Sequence, residues 1–194
     1  MLSPLVAPAQ EGRFFTTTGV SLAFPVSPLR HVTQAGRGTT FNIEYRLSSR
    51  FSIAGGWDAN LLPVQTTKLV TGLAPTLKLS INQLKGVYQT NAFGAYAIWY
   101  GKTRTIRPYV IGGVGLNSIT VPQLAYDPQV QLLSLESVTN LTVFVSGGFG
   151  VNWQFSKPVA LFGEANGYWV PATSPVAQTN SFLTAKMGLR FPLF

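Results

Sequence analysis

Apolar and polar residues alternate with a period of two along much of this chain. The alternation is clearest at the C-terminal end, where every second residue is apolar: Ala185, Met187, Leu189, Phe191 and Leu193. It returns between Ser137 and Ser156, a stretch without Asp, Glu, Lys or Arg. A stretch of this length could cross a bilayer as a helix, but a helix would scatter the two sets of residues around its circumference. A strand separates them onto two faces, so the pattern predicts strands.

The alternation, together with the turn residues between the segments, predicts eight strands. Their ranges are 13–25, 39–48, 51–60, 87–100, 106–119, 138–155, 159–170 and 180–193. Tight turns alternate with longer connections, which are predicted at 26–38, 61–86, 120–137 and 171–179. An even number of strands with this asymmetry is typical of an antiparallel up-and-down barrel that spans a membrane. Because unpaired backbone groups are costly in hydrocarbon, strands that face lipid imply a closed sheet.

Composition agrees with a lipid-facing surface. Only 10% of the residues are charged and 12% are aromatic, a balance that suits lipid better than water. The chain is long enough for one domain, predicted as a single barrel over residues 13–194. Residues 1–12 are predicted to be a tail outside the barrel, in which Val6 to Ala9 have the small residues of a processing site. Cysteine is absent, which excludes disulfides and thiolate metal sites.

Strand parity also assigns side chains to the two faces. In the second strand Phe41 and Ile43 are predicted to face lipid, and Asn42 to face the interior. In the fourth strand both parities are apolar, so its orientation stays open. Three acidic and four basic residues fall on inward positions, and buried charges persist only when paired. We therefore predict a near-balanced ion network that fills the lumen, formed by Glu44, Arg46, Asp58, Arg107, Glu164, Lys186 and Arg190.

Aromatic residues concentrate near the predicted strand ends. Trp and Tyr prefer the headgroup level of a bilayer, so this placement predicts two interfacial belts. The belt beside the tight turns contains Phe51, Trp99, Tyr100, Trp153 and Phe155, and the belt toward the longer loops contains Trp57, Tyr168 and Trp169. The alternative is that these residues form the core of a soluble β-sandwich.

The last strand resembles the C-terminal recognition signal of bacterial outer-membrane β-barrels. The matching residues are Lys186, Gly188, Phe191 and Leu193, and Phe194 extends the chain by one aromatic residue beyond that string. The stretch from Arg107 to Gly115 is similar to a recurrent strand of the small eight-stranded family that includes opacity proteins and the transmembrane domain of OmpA-like proteins. The resemblance implies a location in the outer membrane of a Gram-negative bacterium, with both termini in the periplasm. It also implies that the outer-membrane assembly machinery recognises the last strand.

The net charge of +8 and the single histidine limit the chemistry further. Five basic residues lie in or near the longer loops and would suit the phosphates of lipopolysaccharide: Arg30, Arg37, Lys68, Lys78 and Lys85. They form no compact basic stripe, so nucleic acid is not an expected partner. No cluster of residues suggests a cofactor, zinc or calcium. His31 lies in a loop beside Arg30, and catalysis would require a nucleophile within hydrogen-bond reach of it.

The sequence therefore favours a non-enzymatic outer-membrane barrel that serves as a structural component, adhesin or docking platform through its extracellular loops. Its expected partners are outer-membrane lipid, lipopolysaccharide and a larger envelope complex. Three alternatives stay open: a lipid-modifying outer-membrane enzyme, a narrow channel, and a soluble ligand-binding barrel of the lipocalin type. The soluble barrel would require an apolar interior and a polar exterior.

Overall fold

Eight antiparallel strands make up the protein in the computed structural model. It describes residues 13–26, 29–31, 33–65, 86–102, 105–127, 132–156, 158–171 and 181–193; the predicted tail at 1–12 and Phe194 lie outside these ranges. A single turn of 3-10 helix, Leu29–His31, follows the first strand. The strands are β1 Phe14–Pro25, β2 Gly36–Arg46, β3 Phe51–Pro63, β4 Val87–Tyr100, β5 Ile106–Asp127, β6 Leu132–Gln154, β7 Ala160–Trp169 and β8 Phe182–Pro192.

Each strand pairs with its neighbours along the chain, and β8 pairs with β1 to close the barrel. At this seam Thr16 lies opposite Phe191, and Gly19 lies opposite Gly188. The predicted eight-stranded up-and-down barrel is therefore confirmed. The tight turns and both described ends of the chain lie at one end of the barrel, the turn end, and the longer connections lie at the other, the loop end.

Within the described ranges, no helix is long and apolar enough to cross a bilayer.

The faces follow the predicted parity. Phe41 and Ile43 are exposed on the outside of β2, whereas Glu44 is buried inside. The structure also settles β4, in which Phe93 points outward and Tyr96 points inward. The reason is register: Phe93 lies directly opposite Trp57 of β3, and paired residues in a sheet share a face. The exterior is consequently apolar and much of the interior is polar and charged, the reverse of a lipocalin-type barrel.

β5 and β6 extend much farther toward the loop end than predicted. β5 and β6 remain paired from Thr120↔Thr139 to Asp127↔Leu132, so the prediction of a loop over 120–137 is wrong. β4 stops pairing with β5 at Thr120, and β7 stops pairing with β6 at Val145. A two-stranded ribbon makes its cross-strand hydrogen bonds without barrel neighbours, and the hairpin therefore continues beyond the wall. We call its unsupported part, Val121–Asp127 with Leu132–Phe144, the projecting hairpin.

Candidate functional site

The centre of the lumen holds a lysine between two carboxylates. Lys186 Nζ lies 3.0 Å from Asp58 Oδ2 and 3.3 Å from Glu164 Oε1, and all three side chains are buried. β8 places Lys186 directly opposite Glu164 of β7, and Asp58 reaches them from β3 across the lumen. One ammonium group thus forms ion pairs with two carboxylates. We call Lys186, Asp58 and Glu164 the central cluster.

Two tyrosines and an asparagine donate hydrogen bonds to the carboxylates of the central cluster. Tyr168 donates its hydroxyl to Asp58 Oδ2 and accepts a hydrogen bond from Lys186 Nζ at 3.0 Å. Tyr109 donates to Glu164 Oε2 at 2.8 Å, and the Asn166 amide donates to Glu164 Oε1 at 2.7 Å. A buried charged group is tolerated when its lone pairs and N–H groups have hydrogen-bond partners. These donors supply some of the partners that the two carboxylates need.

Nearer the turn end, one carboxylate lies among three guanidinium groups. Arg190 donates to Glu44 from Nε and Nη2, each at 3.0 Å, in a forked geometry. Arg46 Nη2 lies 3.8 Å from Glu44 Oε1, and Tyr100 donates to Glu44 Oε2 at 2.8 Å. Arg107 forms no ion pair with the described acidic residues and instead donates to the backbone carbonyls of the tight turns. We call Glu44, Arg46, Arg107 and Arg190 the turn-end cluster.

Aromatic rings hold the guanidinium groups of the turn-end cluster in place. The Arg190 guanidinium carbon lies 3.9 Å from the centre of the Phe15 ring, and that of Arg46 lies 4.5 Å from it. Arg107 lies over Tyr100 at 4.7 Å. A cation over an aromatic face gains electrostatic attraction without needing another acid. This attraction offsets part of the cost of placing two buried guanidinium groups and the half-buried Arg107 around one carboxylate.

Toward the loop end the interior becomes apolar. Asn60 first forms a polar layer with Ser21 at 2.9 Å and Thr90 at 3.5 Å. Above it, buried apolar side chains from four strands, the 3-10 helix and the residue after β7 join one hydrophobic cluster, which we call the apolar cap: Leu29, Leu62, Tyr88, Ile119, Val170 and Phe182. The cap closes the lumen above its charged layers.

The lumen is therefore filled rather than open. A cavity of about 20 Å³ lies between the two charged clusters and is lined by Glu44, Arg190, Tyr109 and Glu164. This volume is enough for about one water molecule. An eight-stranded barrel leaves an interior that side chains can fill, and the charged layers, rings and apolar cap occupy it here.

Two residues assigned to the aromatic belts belong instead to this interior. Tyr100 and Tyr168 are each 2% exposed and bond Glu44 and Asp58, so the prediction that they face the membrane interface is wrong. The physical reason is parity: each follows an outward tryptophan or precedes one, and adjacent residues of a strand face opposite sides. The inward parity of tyrosine was the signal that could have identified these hydrogen-bond donors.

The other aromatic belt residues are on the outer surface or at its edge. At the turn end, Phe51 lies 6.2 Å from Trp99 and Trp153 lies 6.2 Å from Phe155, measured between ring centres. Trp169 is exposed at the loop end of β7. Trp57 lies at the middle of β3 rather than near its end, where it stacks on Phe93.

The predicted assembly signal forms the closing strand. Lys186 and Gly188 face inward on β8, and Phe191 pairs with Thr16 of β1. Leu193 extends this pairing, because its backbone N–H donates to the Phe14 carbonyl at 2.9 Å. A Cβ at Gly188 would lie 2.1 Å from the Thr18 carbonyl oxygen, so the seam requires glycine there.

His31 ends the 3-10 helix with an exposed side chain. Thr33, the nearest hydroxyl in sequence, donates to the Leu29 carbonyl at 2.9 Å and not to the imidazole. Among the described residues, His31 has no hydrogen bond to a serine, threonine or acid. The helix therefore shows no activated nucleophile of the kind that the sequence left open.

No protein-family model matches the sequence, and no curated protein matches it. Solved structures do match. The chain is similar to the outer membrane protein OprG of Pseudomonas aeruginosa at 11% identity and a TM-score of 0.59, covering 95% of this chain and 97% of that one. It is similar to Neisserial surface protein A at 16% identity and a TM-score of 0.55, covering 92% and 96%.

A third similar structure is Ail, the attachment invasion locus protein of Yersinia pestis, solved with the heparin analogue sucrose octasulfate. It shares 10% identity and a TM-score of 0.53, covering 94% of this chain and all of that one. These three likenesses confirm, at the level of fold, the predicted resemblance to small eight-stranded outer-membrane barrels.

Proposed function

We propose that this protein is a non-enzymatic barrel of the bacterial outer membrane, with its termini in the periplasm, that docks envelope or external partners through its loop end. Its exterior supports insertion into a membrane. Large apolar side chains are exposed on all eight strands, including Val114, Val145, Phe149 and Met187. Such a surface is stable in hydrocarbon and not in water.

The observation that carries the docking role is the filled lumen. A channel needs a continuous polar path, whereas here the charged clusters are paired across the interior and the apolar cap lies above them. With the interior occupied, the surface free to bind a partner in the aqueous phase is the loop end. The filled lumen thus supports a docking role over a conducting one.

Charge at the loop end supports lipopolysaccharide as one partner. Arg30 and Arg37 are exposed there, whereas Lys68, Lys78 and Lys85, predicted to lie in or near the longer loops, lie outside the described residues. Phosphate groups on an anionic membrane surface attract basic residues, with a strength that falls as salt is added.

The test is purification of the native barrel from gently solubilised outer membranes. Reversing both exposed loop charges, Arg30→Glu with Arg37→Glu, should reduce the lipopolysaccharide and envelope proteins that accompany the barrel. The matched control is Arg50→Glu in an exposed turn at the opposite end, which should leave them unchanged. Equal retention in both variants would contradict docking through the loop end.

The non-enzymatic part of the proposal has its own test. Replacing His31 by alanine should leave the lipid composition of the envelope unchanged, because its imidazole activates no described hydroxyl. An altered lipid A or phospholipid profile in this variant, with normal amounts of folded barrel, would establish an enzyme instead.

A further inference from the structure

The projecting hairpin presents an unsupported strand edge at the loop end. β5 and β6 continue for seven pairs beyond Thr120↔Thr139, from Val121↔Val138 to Asp127↔Leu132. β7 last contacts β6 where Trp169 lies opposite Val145. Among the residues that the structure describes, β6 from Leu132 to Phe144 therefore pairs with β5 alone. Its other edge carries backbone donors and acceptors that another strand could use.

This edge extends above the membrane. At about 3.3 Å per residue and a tilt of about 40°, an apolar band about 25 Å tall takes about ten residues of a strand. Counted from Trp153 at the turn end, that band ends near Val143, and exposed Trp169 opposite Val145 lies at the same level. Leu141 and the rest of the hairpin extend beyond it.

Apolar side chains line the described part of this edge. Leu141 is 67% exposed and Val143 is 58% exposed, although both lie at or above the top of the membrane band. Exposed aliphatic residues beside unpaired backbone groups are the features by which a sheet accepts an added strand: the backbone supplies affinity, and alternate side chains supply selectivity.

The two edges of the hairpin are not equivalent. β5 has Pro122 in its unsupported part, and proline has no backbone N–H to donate. β6 has no proline between Leu132 and Phe144. The β6 edge can therefore continue a ladder of hydrogen bonds without interruption, whereas the β5 edge cannot.

The charge of the hairpin indicates the partner. From Pro108 to Ser156 the chain has no Lys or Arg, but it has two of the six acidic residues, Asp127 and Glu136. The whole protein nevertheless has a net charge of +8. The hairpin is thus an acidic extension on a basic protein, and it would attract a basic strand and repel an acidic one.

We propose that the free edge of β6, from Leu132 to Phe144, binds an extended basic segment of another polypeptide by β-strand addition. The inference rests on the proposed function, since it names the kind of partner that the loop end would dock. A second copy in the same membrane fits less well. Two such barrels would bring their β6 strands together in parallel, whereas a peptide is free to pair antiparallel, the more stable arrangement.

The test uses the full-length barrel in detergent and fluorescent eight-residue peptides. The probe has valine at alternate positions with lysine and threonine between them; matched peptides replace lysine by glutamate or alternate valines by proline. Fluorescence anisotropy should show binding of the lysine peptide, binding about tenfold weaker or less for the glutamate peptide, and none for the proline peptide. The double variant Asp127→Lys with Glu136→Lys should reverse the preference between lysine and glutamate.

A pair of adjacent proline variants locates the binding edge. Thr139→Pro and Asn140→Pro each remove one backbone N–H, and neighbouring N–H groups of a strand point to opposite sides. One variant should therefore abolish binding of the lysine peptide, while the other keeps it. The difference in electrophoretic mobility between boiled and unboiled samples shows whether each variant is folded.

Several results would overturn the proposal. They are no binding of the lysine peptide, equal binding of the lysine and glutamate peptides, or unchanged binding in both folded proline variants. A dimer in sedimentation that the proline variants abolish, without peptide binding, would assign the edge to a second copy. Binding that appears only after deletion of residues 172–180 would assign it to this chain's own segment. If the loop-charge test succeeds while the peptide fails, only this inference falls and the proposed function stands.

Discussion

Replacing Lys186 by methionine should destabilise the barrel more than replacing all three charges of the central cluster together. Methionine keeps most of the side-chain length and removes the ammonium group. Asp58 and Glu164 would then be buried without a cation. Among the described residues, Lys186 is the only base within 4 Å of either carboxylate. The triple variant Lys186→Met, Asp58→Asn, Glu164→Gln has no net charge at this level of the lumen.

The size of the effect follows from the distances. At an effective dielectric constant of about 20, charges 3.0 Å and 3.3 Å apart attract by about 5 kcal/mol each. Burying the ammonium costs several kcal/mol, which offsets about half of this attraction. Breaking a buried ion pair by removing one partner typically costs about 3–5 kcal/mol, and we expect that loss for Lys186→Met. The triple variant should recover at least half of it.

The assay is urea unfolding of the barrel in phospholipid vesicles, followed by tryptophan fluorescence. Lys102→Met, at an exposed turn, is the matched control and should unfold like the original protein. A single variant within about 1 kcal/mol of the original, or a triple variant less stable than the single one, would refute the assignment of Lys186 as a buried counter-ion.

Three further outcomes test the faces, the packing and the lumen. Phe149→Arg puts a charge on the lipid-facing side of β6, about midway between Trp153 and Val145, and should cost about 2–4 kcal/mol near the bilayer midplane. Lys68→Glu should be nearly silent, and equal tolerance of the two variants in urea unfolding would show that the faces are misassigned. Gly148→Ala should destabilise the barrel, because its Cβ would lie 2.2 Å from the backbone carbonyl oxygen of Ala165, whereas Gly112→Ala on the outside meets only the Ser146 carbonyl oxygen at 3.8 Å. Similar unfolding midpoints of the two variants would contradict this packing. Planar bilayers should show no stable single-channel steps, and reproducible ion-selective steps that change on Glu164→Gln would establish a channel.

Much of the candidate site could be predicted from strand parity. The seven ionisable residues predicted in the lumen fall on the face opposite Phe41, Val145 and similar apolar residues. The structure places six of them in ion pairs and leaves Arg107 on backbone carbonyls. Parity predicts which face of the sheet a residue occupies. It does not predict the residue's position along the barrel axis or which residue it contacts across the lumen.

The alternation within each strand therefore could not predict which charged residues pair with each other. Asp58 and Lys186 are 128 residues apart in sequence and 3.0 Å apart in space. Their meeting depends on the stagger between strands and on closure of β8 against β1. Tyr100 and Tyr168, which bond the carboxylates, differ from this case: their parity already points inward, and the prediction that they face the membrane surface follows from their proximity to strand ends.

The sequence by itself determined the barrel, its eight strands, its apolar outer face and its charged inner face. Alternation with period two is a local property of each strand, and in lipid it leaves a closed sheet as the arrangement that satisfies every backbone group. The tertiary structure alone decided the orientation of β4, the pairing of buried charges, the apolar cap and the length of the projecting hairpin. Each of these depends on register between strands that are distant in sequence, and register is set by the packing of paired side chains rather than by the pattern within one strand.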